Sequence, residues 1–113
     1  MGANTSATLK NAQNAAYAAN TPWQALYSTV PTTSPGTELT GGSPPYARKA
    51  TAWSTGNPIS TTGTFDVASG VTVAGTGFHS AQSAGTYLDG VSLTSQTFAS
   101  QGTYAATVTV TQT

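Results

Sequence analysis

The chain has 113 residues, the length of a single typical domain. Three basic and three acidic side chains give a formal net charge of zero, which excludes the basic surface that nucleic acids and anionic membranes require. The chain contains no cysteine, which excludes disulfide frameworks, thiolate metal sites and cysteine nucleophiles. We therefore expect neither a nucleic-acid nor a membrane partner.

Large aliphatic residues are scarce, whereas threonine, alanine, serine and glycine dominate the sequence. Threonine is β-branched and suits the pleated, half-buried surface of a sheet, so the composition predicts β-structure with a thin hydrophobic core. A thin core is a stability problem for a small domain. We therefore expect neighbouring subunits, including further copies of this chain, to supply part of the burial.

The first predicted element is a helix over residues 5–19. Thr5 or Ser6 can cap it, its alanines are good helix formers, and Asn20-Thr21-Pro22 supplies a stop. Its apolar face is shallow, so the helix should lie on a partner surface or on the sheet.

Residues 1–21 are accordingly predicted to form an N-terminal helical arm, followed by a β-domain over residues 22–113. Residues 23–30 and 46–53 are predicted strands because they combine aromatic and β-branched residues with polar ones. The segment 31–45 between them is rich in proline, glycine, threonine and serine. It is too long for a hairpin turn, and a loop of this length is usually functional or mobile.

The second half of the chain is a series of short runs separated by glycine or serine. These predicted strands cover residues 64–67, 71–81, 86–93, 96–100 and 103–112. The last run alternates most clearly, so Ala106, Val108 and Val110 should face a core. Strands at this spacing predict a mainly β fold, either a small antiparallel β-sandwich or a jelly-roll-like barrel, with one N-terminal helix.

The titratable side chains are too few and too scattered to predict an active site. They are Lys10, Glu38, Arg48, Lys49, Asp66, His79 and Asp89. A general base needs a carboxylate or a nucleophile nearby, and His79 has neither on its own strand face, so a strand or interface histidine is favoured over a catalytic one. One histidine and three separated carboxylates also make a poor metal site. We expect no enzyme activity, no catalytic residue, no metal and no cofactor; a small hydrolase would require His79.

The aromatic residues have two interpretations. In a chain short of leucine and isoleucine, residues such as Trp23, Tyr27 and Trp53 are expected to carry the core or an interface. They could instead form a platform that stacks on carbohydrate, which would require ring faces exposed at loop tips.

The most specific stretch runs from Pro35 to Arg48. Gly41 and Gly42 allow positive φ angles, and the two prolines that follow stiffen the entry into the next strand. Glu38 and Arg48 flank the loop, so a charge-assisted contact across its neck is one expectation. The alternative is a solvated Glu38 without a partner.

This stretch and the segments before it resemble a family of small virion proteins from tailed bacteriophages. The similarity covers Asn11–Trp53: an alanine-rich helix, a short strand with Leu26, a Pro-Gly turn, and a Glu…Gly-Gly…Tyr-Ala-Arg motif ending near a tryptophan. The chain departs from the family by inserting Pro44-Pro45 before the tyrosine and by having Tyr27-Ser28 where relatives often carry Leu-His. The resemblance implies a structural component of the particle, variously a capsid decoration, minor tail or tail-fibre protein.

The resulting hypothesis is a capsid decoration protein bound to the outer surface of the major capsid shell. The expected partners are the major capsid protein, other virion subunits and copies of the chain itself, a trimer being one arrangement. The expected location is the virion, on the capsid surface rather than the tail, after synthesis in the host cytoplasm. The alternative is a minor tail or tail-fibre protein that binds host-surface glycans. The residues predicted to determine the fold or an interface are Trp23, Tyr27, Glu38, Gly41, Gly42, Tyr46, Arg48 and Trp53.

Overall fold

A computed structural model of the protein describes residues 5–113. The chain begins with helix α1 (Ala7–Asn20), which is capped by Ser6 because its hydroxyl accepts the Leu9 N–H at 3.2 Å. The predicted helix and its Ser6 cap are thus confirmed. Residues 1–4 of the predicted helical arm lie outside the described residues.

Six strands follow, and they form two antiparallel sheets. The strands are β1 (Trp23–Tyr27), β2 (Lys49–Ala50), β3 (Ile59–Val67), β4 (Thr72–His79), β5 (Tyr87–Thr97) and β6 (Gly102–Val110). One sheet has the order β2-β1-β4-β5 and the other is the pair β3-β6. The described residues therefore form a mainly β fold with one N-terminal helix, as predicted, and the two separate sheets make it a sandwich rather than a barrel.

The hydrophobic core lies between the two sheets. It is built from Leu26, Leu39, Phe65, Val67, Val73, Phe98 and Ala106. Gln24 links the sheets inside this core, because its side-chain amide donates to the Thr76 hydroxyl at 2.9 Å and to the Ala106 carbonyl at 3.2 Å. The predicted alternation of the last strand is confirmed for Ala106 and Val108, which are 2% and 5% exposed.

Several predicted strand limits were wrong, for reasons of local packing. The strand predicted over 46–53 is reduced to the two residues of β2, and the strand predicted over 23–30 ends at Tyr27. Strand β3 begins at Ile59 rather than residue 64, because Gly63 does not divide the strand. A Cβ on Gly63 would lie 2.7 Å from Gln24 Oε1, so this glycine is needed for close approach of the sheets.

One long strand replaces two predicted short ones. The run predicted over 86–93 is joined through Ser95 to the start of the run predicted over 96–100, and the resulting strand β5 ends at Thr97. It pairs with β4 across two register shifts. A serine does not reliably end an exposed edge strand, because a β-bulge can accommodate the extra residue while hydrogen bonding to the neighbouring strand continues on either side.

Candidate functional site

The β1–β2 loop, residues 28–48, is closed at its neck by an ion pair. Arg48 Nε donates to Glu38 Oε2 and Arg48 Nη2 donates to Glu38 Oε1, both at 2.8 Å. This is the bidentate geometry in which guanidinium and carboxylate groups match best. The Arg48 side chain is 9% exposed and the Glu38 side chain 28% exposed, so solvent screens the pair only partly. The predicted contact between the two residues is confirmed.

Tyr46 joins this ion pair to strand β1 and to the core. Its hydroxyl donates to Glu38 Oε2 at 2.7 Å and accepts the Leu26 backbone N–H at 3.1 Å. Its ring stacks on Phe65, with 6.1 Å between the ring centroids. We call Glu38, Tyr46 and Arg48 the clamp.

The clamp also holds the β4–β5 loop, residues 80–86. Arg48 Nη1 donates to the carbonyl oxygens of Ala81 and Ala84, at 2.9 and 2.8 Å. Ala84 has a φ of 54°, which is uncommon for a residue with a side chain. The bonds from Arg48 therefore stabilise a tight turn in one loop while closing the neck of the other.

The electrostatics of the clamp favour the charged forms of both partners. Burial opposes ionisation of Glu38, but the hydrogen bonds from Arg48 and Tyr46 outweigh it, so the pKa of Glu38 lies below its ordinary value. The hydrogen bond to Glu38 raises the pKa of Arg48. Burial and the same carboxylate raise the pKa of Tyr46, which keeps its hydroxyl a donor.

A second polar cluster lies beneath the β1–β2 loop. Tyr27 Oη and His79 Nε2 share a hydrogen bond, and the Tyr87 ring packs edge-on against both rings. Tyr27 is 0% and His79 6% exposed, and His79 Nδ1 is buried without a hydrogen-bond partner among the described residues. Burial lowers the pKa of His79, and Arg48 lowers it further while Glu38 opposes this. The neutral imidazole is therefore the stable form.

Three glycines give the sheet the flat surface on which this loop rests. A Cβ on Gly75 would lie 2.2 Å from Pro31 Cδ, and a Cβ on Gly90 would lie 2.2 Å from Tyr87 Oη and 2.6 Å from Pro31 Cβ. A Cβ on Gly77 would lie 2.8 Å from the Tyr27 ring. Gly75 pairs with Tyr27, and Gly77 pairs with Gly90 across the neighbouring strand. A larger side chain at Gly75 or Gly90 would push Pro31 and the loop away from the sheet, and one at Gly77 would displace the Tyr27 ring.

The tip of the loop turns at Gly41 and Gly42, whose φ angles are 80° and 98°. The predicted positive φ angles are thus confirmed. The Tyr46 N–H donates to the Gly41 carbonyl at 2.9 Å, which closes the turn. Gln101, from the turn before β6, accepts the Ser43 N–H at 3.2 Å. The tip is therefore exposed but held at both ends.

The two tryptophans lie away from the clamp. The Trp53 ring contacts Tyr17 of α1 and Phe78 of β4, with centroids 5.6 and 5.3 Å apart. Phe78 and His79 are consecutive strand residues and so point to opposite faces of the sheet. Trp53 thus fixes α1 on the sheet face opposite the Tyr27–His79 pair. Trp23 is a half-buried residue at the start of β1 that pairs with Ala50 and His79.

The structure therefore brings four of the eight predicted residues together: Tyr27, Glu38, Tyr46 and Arg48. Gly41 and Gly42 form the loop tip, and the tryptophans serve other contacts. Sequence reasoning missed Pro31, Tyr87 and the glycine surface, and it favoured a strand or interface role for His79 without a specific partner. Glycines two residues apart, as in Gly75 and Gly77, occupy the same face of a strand and were the signal that something packs closely there.

Neither the side chains of the described residues nor the known proteins assign this chain a function. Among residues 5–113, no three His, Asp or Glu side chains gather in a way that could hold a metal ion. The helix in this part of the chain is too short and too polar to cross a membrane. No protein-family model, curated protein or solved structure matches the chain. Its function is therefore inferred from the contacts above and from the sequence.

Proposed function

We propose that this chain is a structural subunit of a tailed-phage virion, and specifically a decoration protein on the outer surface of the major capsid shell. The observation that carries the proposal is the β1–β2 loop, which is fixed at its base and exposed at its tip. A nearly uncharged sequence and the resemblance over Asn11–Trp53 support the same conclusion.

The loop has the architecture of a preformed binding element. Its neck is a short ladder in which the Ser28 N–H donates to the Thr37 carbonyl at 2.8 Å and the Leu39 N–H donates to the Leu26 carbonyl at 3.1 Å. The Thr37 N–H donates to the Thr29 hydroxyl at 2.7 Å. A loop that is already ordered loses little conformational entropy on binding, which increases the affinity that a given contact area provides.

The chemistry of the exposed part of the loop suits a protein surface. Residues 32–35 and 40–45 are exposed and consist of threonine, serine, proline and glycine. Such residues bind through hydrogen bonds and small apolar contacts, with little dependence on salt because no charge is involved. Many copies on a symmetric shell sum weak contacts into a stable coat. The N-terminal arm is the second proposed contact with the capsid, and the sandwich projects outward.

The alternative is a minor tail or tail-fibre protein that binds host-surface glycans through its aromatic rings. All ten aromatic residues of the chain are buried or half-buried. Stacking on sugars requires an open ring face, so this burial favours the capsid proposal. A glycan array with the purified chain separates the two: binding would support the alternative, and a decoration protein should give no signal.

The decisive experiment measures rebinding of the purified chain to capsids from which it has been stripped, with isolated tails as the second target. We expect saturable binding to capsids and none to tails. Binding to tails alone would overturn the proposal in favour of the alternative. Binding should change little between low and high salt, because the loop tip carries no charge.

A matched pair of variants tests the role of the loop. Thr40→Trp adds bulk without charge at the exposed tip and should weaken capsid binding about tenfold, because steric overlap costs roughly 1–3 kcal/mol in a packed contact. Thr94→Trp makes the same change on exposed strand β5 and should alter binding less than about twofold. Equal effects of the two variants would show that the loop is not the docking element.

A further inference from the structure

We propose that the outer edge of strand β6 pairs antiparallel with β6 of a second copy of this chain. The two β3-β6 pairs would then form one continuous four-stranded sheet across a two-fold axis. This inference is independent of the virion proposal, because it rests on the geometry of one strand and its side chains.

Strand β6 is a regular and open edge. Within residues 5–113 it pairs with β3 alone, in an unbroken register from Ile59↔Val110 to Val67↔Gly102. The other backbone hydrogen bonds of the described residues do not involve β6. The Ala106 carbonyl accepts the Gln24 amide, and a carbonyl oxygen can accept a second bond. The outer edge of β6 can therefore form a ladder.

The other long edges of the molecule are protected, and β6 is not. Proteins shield edges with lysine, proline, bulges or covering segments. Strand β5 has two register shifts with β4. The outer side of β3 is partly covered, because the Ser54 N–H donates to the Ser60 carbonyl and the Ala52 N–H to the Thr61 hydroxyl, both at 2.9 Å. Strand β6 has no charge, no proline and no bulge.

The side chains of β6 are complementary to themselves when the pairing is centred on Ala106. On the core-facing side, half-buried Tyr104 lies opposite Val108 of the second copy, an aromatic and β-branched pair of the kind that stabilises sheets. On the outer side, exposed Thr103 lies opposite Thr109 of the second copy. The subunit already contains such a contact, since the Thr62 and Thr107 hydroxyls are 2.7 Å apart.

Geometry and charge both favour a second copy as the occupant. Antiparallel partners point to the same face of a sheet, and a two-fold axis perpendicular to the sheet keeps both core faces on one side. The nearest charged residue is Asp66, which lies opposite Thr103 on β3. In the proposed register the two Asp66 carboxylates stand at opposite ends of the joined sheet. Like charges therefore do not come close to each other. The half-buried side chains of Tyr104 and Val110 would become more buried in the dimer.

The first test is sedimentation of the intact chain over a range of concentrations. Two variants are compared with it, each with one lysine on the outer face of the sheet, one on β6 and the other on β3. Ala105→Lys places a charge on the outer face of β6, close to its symmetry mate, and should weaken dimerisation about tenfold. Thr64→Lys places the same charge on the same face of β3, directly opposite Ala105, and should change dimerisation less than about twofold. Circular dichroism checks that both variants fold.

The outcomes of this test are distinct. A concentration-dependent dimer that is sensitive to Ala105→Lys alone supports the proposal. A wild-type chain that remains monomeric at millimolar concentration overturns it, and so does equal sensitivity to both lysines, which would indicate association through the sheet face. A monomer whose binding to another virion protein is lost in Ala105→Lys assigns the edge to that protein and overturns pairing with a second copy.

The second test reads the register directly, because the natural chain has no cysteine. Thr103→Cys and Thr109→Cys chains are mixed and treated with a short bis-maleimide. We expect crosslinked dimers in the mixture and none with either variant alone, since the two Thr103 positions would be about 20 Å apart at ~3.3 Å per residue. Crosslinking of a single variant, or none in the mixture, would overturn the register.

Discussion

The β1–β2 loop and strand β6 handle exposed backbone in opposite ways. The loop is irregular, yet the clamp, the hydrogen bond from the Tyr87 hydroxyl to the Thr32 carbonyl and the glycine surface hold it within one subunit. Strand β6 pairs with β3 in an unbroken register, yet its outer edge has no partner strand in the described residues.

This contrast shows that regularity and completeness are separate properties. A half-buried, bidentate ion pair can fix a loop that has almost no secondary structure. A strand with ideal alternation still leaves half of its backbone groups without protein partners at an edge. The loop is therefore held by contacts within its own chain, and the edge of β6 is where we propose that another chain pairs.

The largest expected effect comes from breaking the clamp. Arg48→Met removes four hydrogen bonds and leaves the Glu38 carboxylate half-buried without its countercharge, so we expect the free energy of unfolding to fall by about 3 kcal/mol. Urea unfolding gives the value. Lys49→Met removes the adjacent positive charge and should cost less than about 0.5 kcal/mol. Similar losses for the two variants would contradict a specific role for the clamp.

A smaller loss should follow from filling the glycine surface. Gly75→Ala puts a methyl group against Pro31, and we expect a destabilisation of about 1–3 kcal/mol together with faster proteolysis within residues 28–48. Ser92→Ala, at the position that pairs with Gly75, is the control and should leave both measurements unchanged. Unchanged proteolysis in Gly75→Ala would mean that the loop does not depend on the flat surface.

Acid should weaken the loop region in two steps. The folded-state pKa of His79 lies below its ordinary value of 6.5, so the unfolded chain binds the extra proton first and stability falls as the pH drops below 6.5. Glu38 also has a lowered pKa, so its contribution is present above 4.5 and is lost as the pH falls through its folded-state value. His79 is the only histidine, so His79→Gln should abolish the first step in pH-dependent unfolding curves and keep the second.

The smallest expected effect on stability is at the open edge. Ala105 is exposed, so Ala105→Lys should change the unfolding free energy of the dilute, monomeric chain by less than about 0.5 kcal/mol. The same substitution should reduce association at high concentration. A large loss of stability in the dilute chain would place Ala105 inside the fold rather than at an interface.

The local features of the fold could be predicted from sequence because they depend on neighbouring residues. Ser6 caps α1 through a residue three positions away, and Ala106 and Val108 follow the two-residue period of a strand. The Glu38–Arg48 ion pair could also be predicted, because both residues flank one loop and the chain has few other charged residues that could pair with either of them. The mainly β sandwich followed from turn spacing.

The remaining contacts join parts of the chain that are distant in sequence. Tyr27 and His79 are 52 residues apart, and Arg48 reaches Ala84 across 36 residues. Neither contact leaves a periodic pattern. Strand 46–53 was overestimated because Tyr46 and Arg48 have strand-forming neighbours but use their side chains to hold Glu38. A glycine such as Gly63 predicts the end of a strand, because the sequence alone does not show that Gln24 lies against it.

Amide hydrogen exchange of the wild-type chain at low and high protein concentration tests the contrast most directly. We predict that amides between residues 26 and 48 are equally protected at both concentrations, because the clamp closes the loop within one subunit. A subset of the β6 amides should become more protected as the concentration rises. Loop protection that appears only at high concentration, or β6 protection that never changes, would contradict the account.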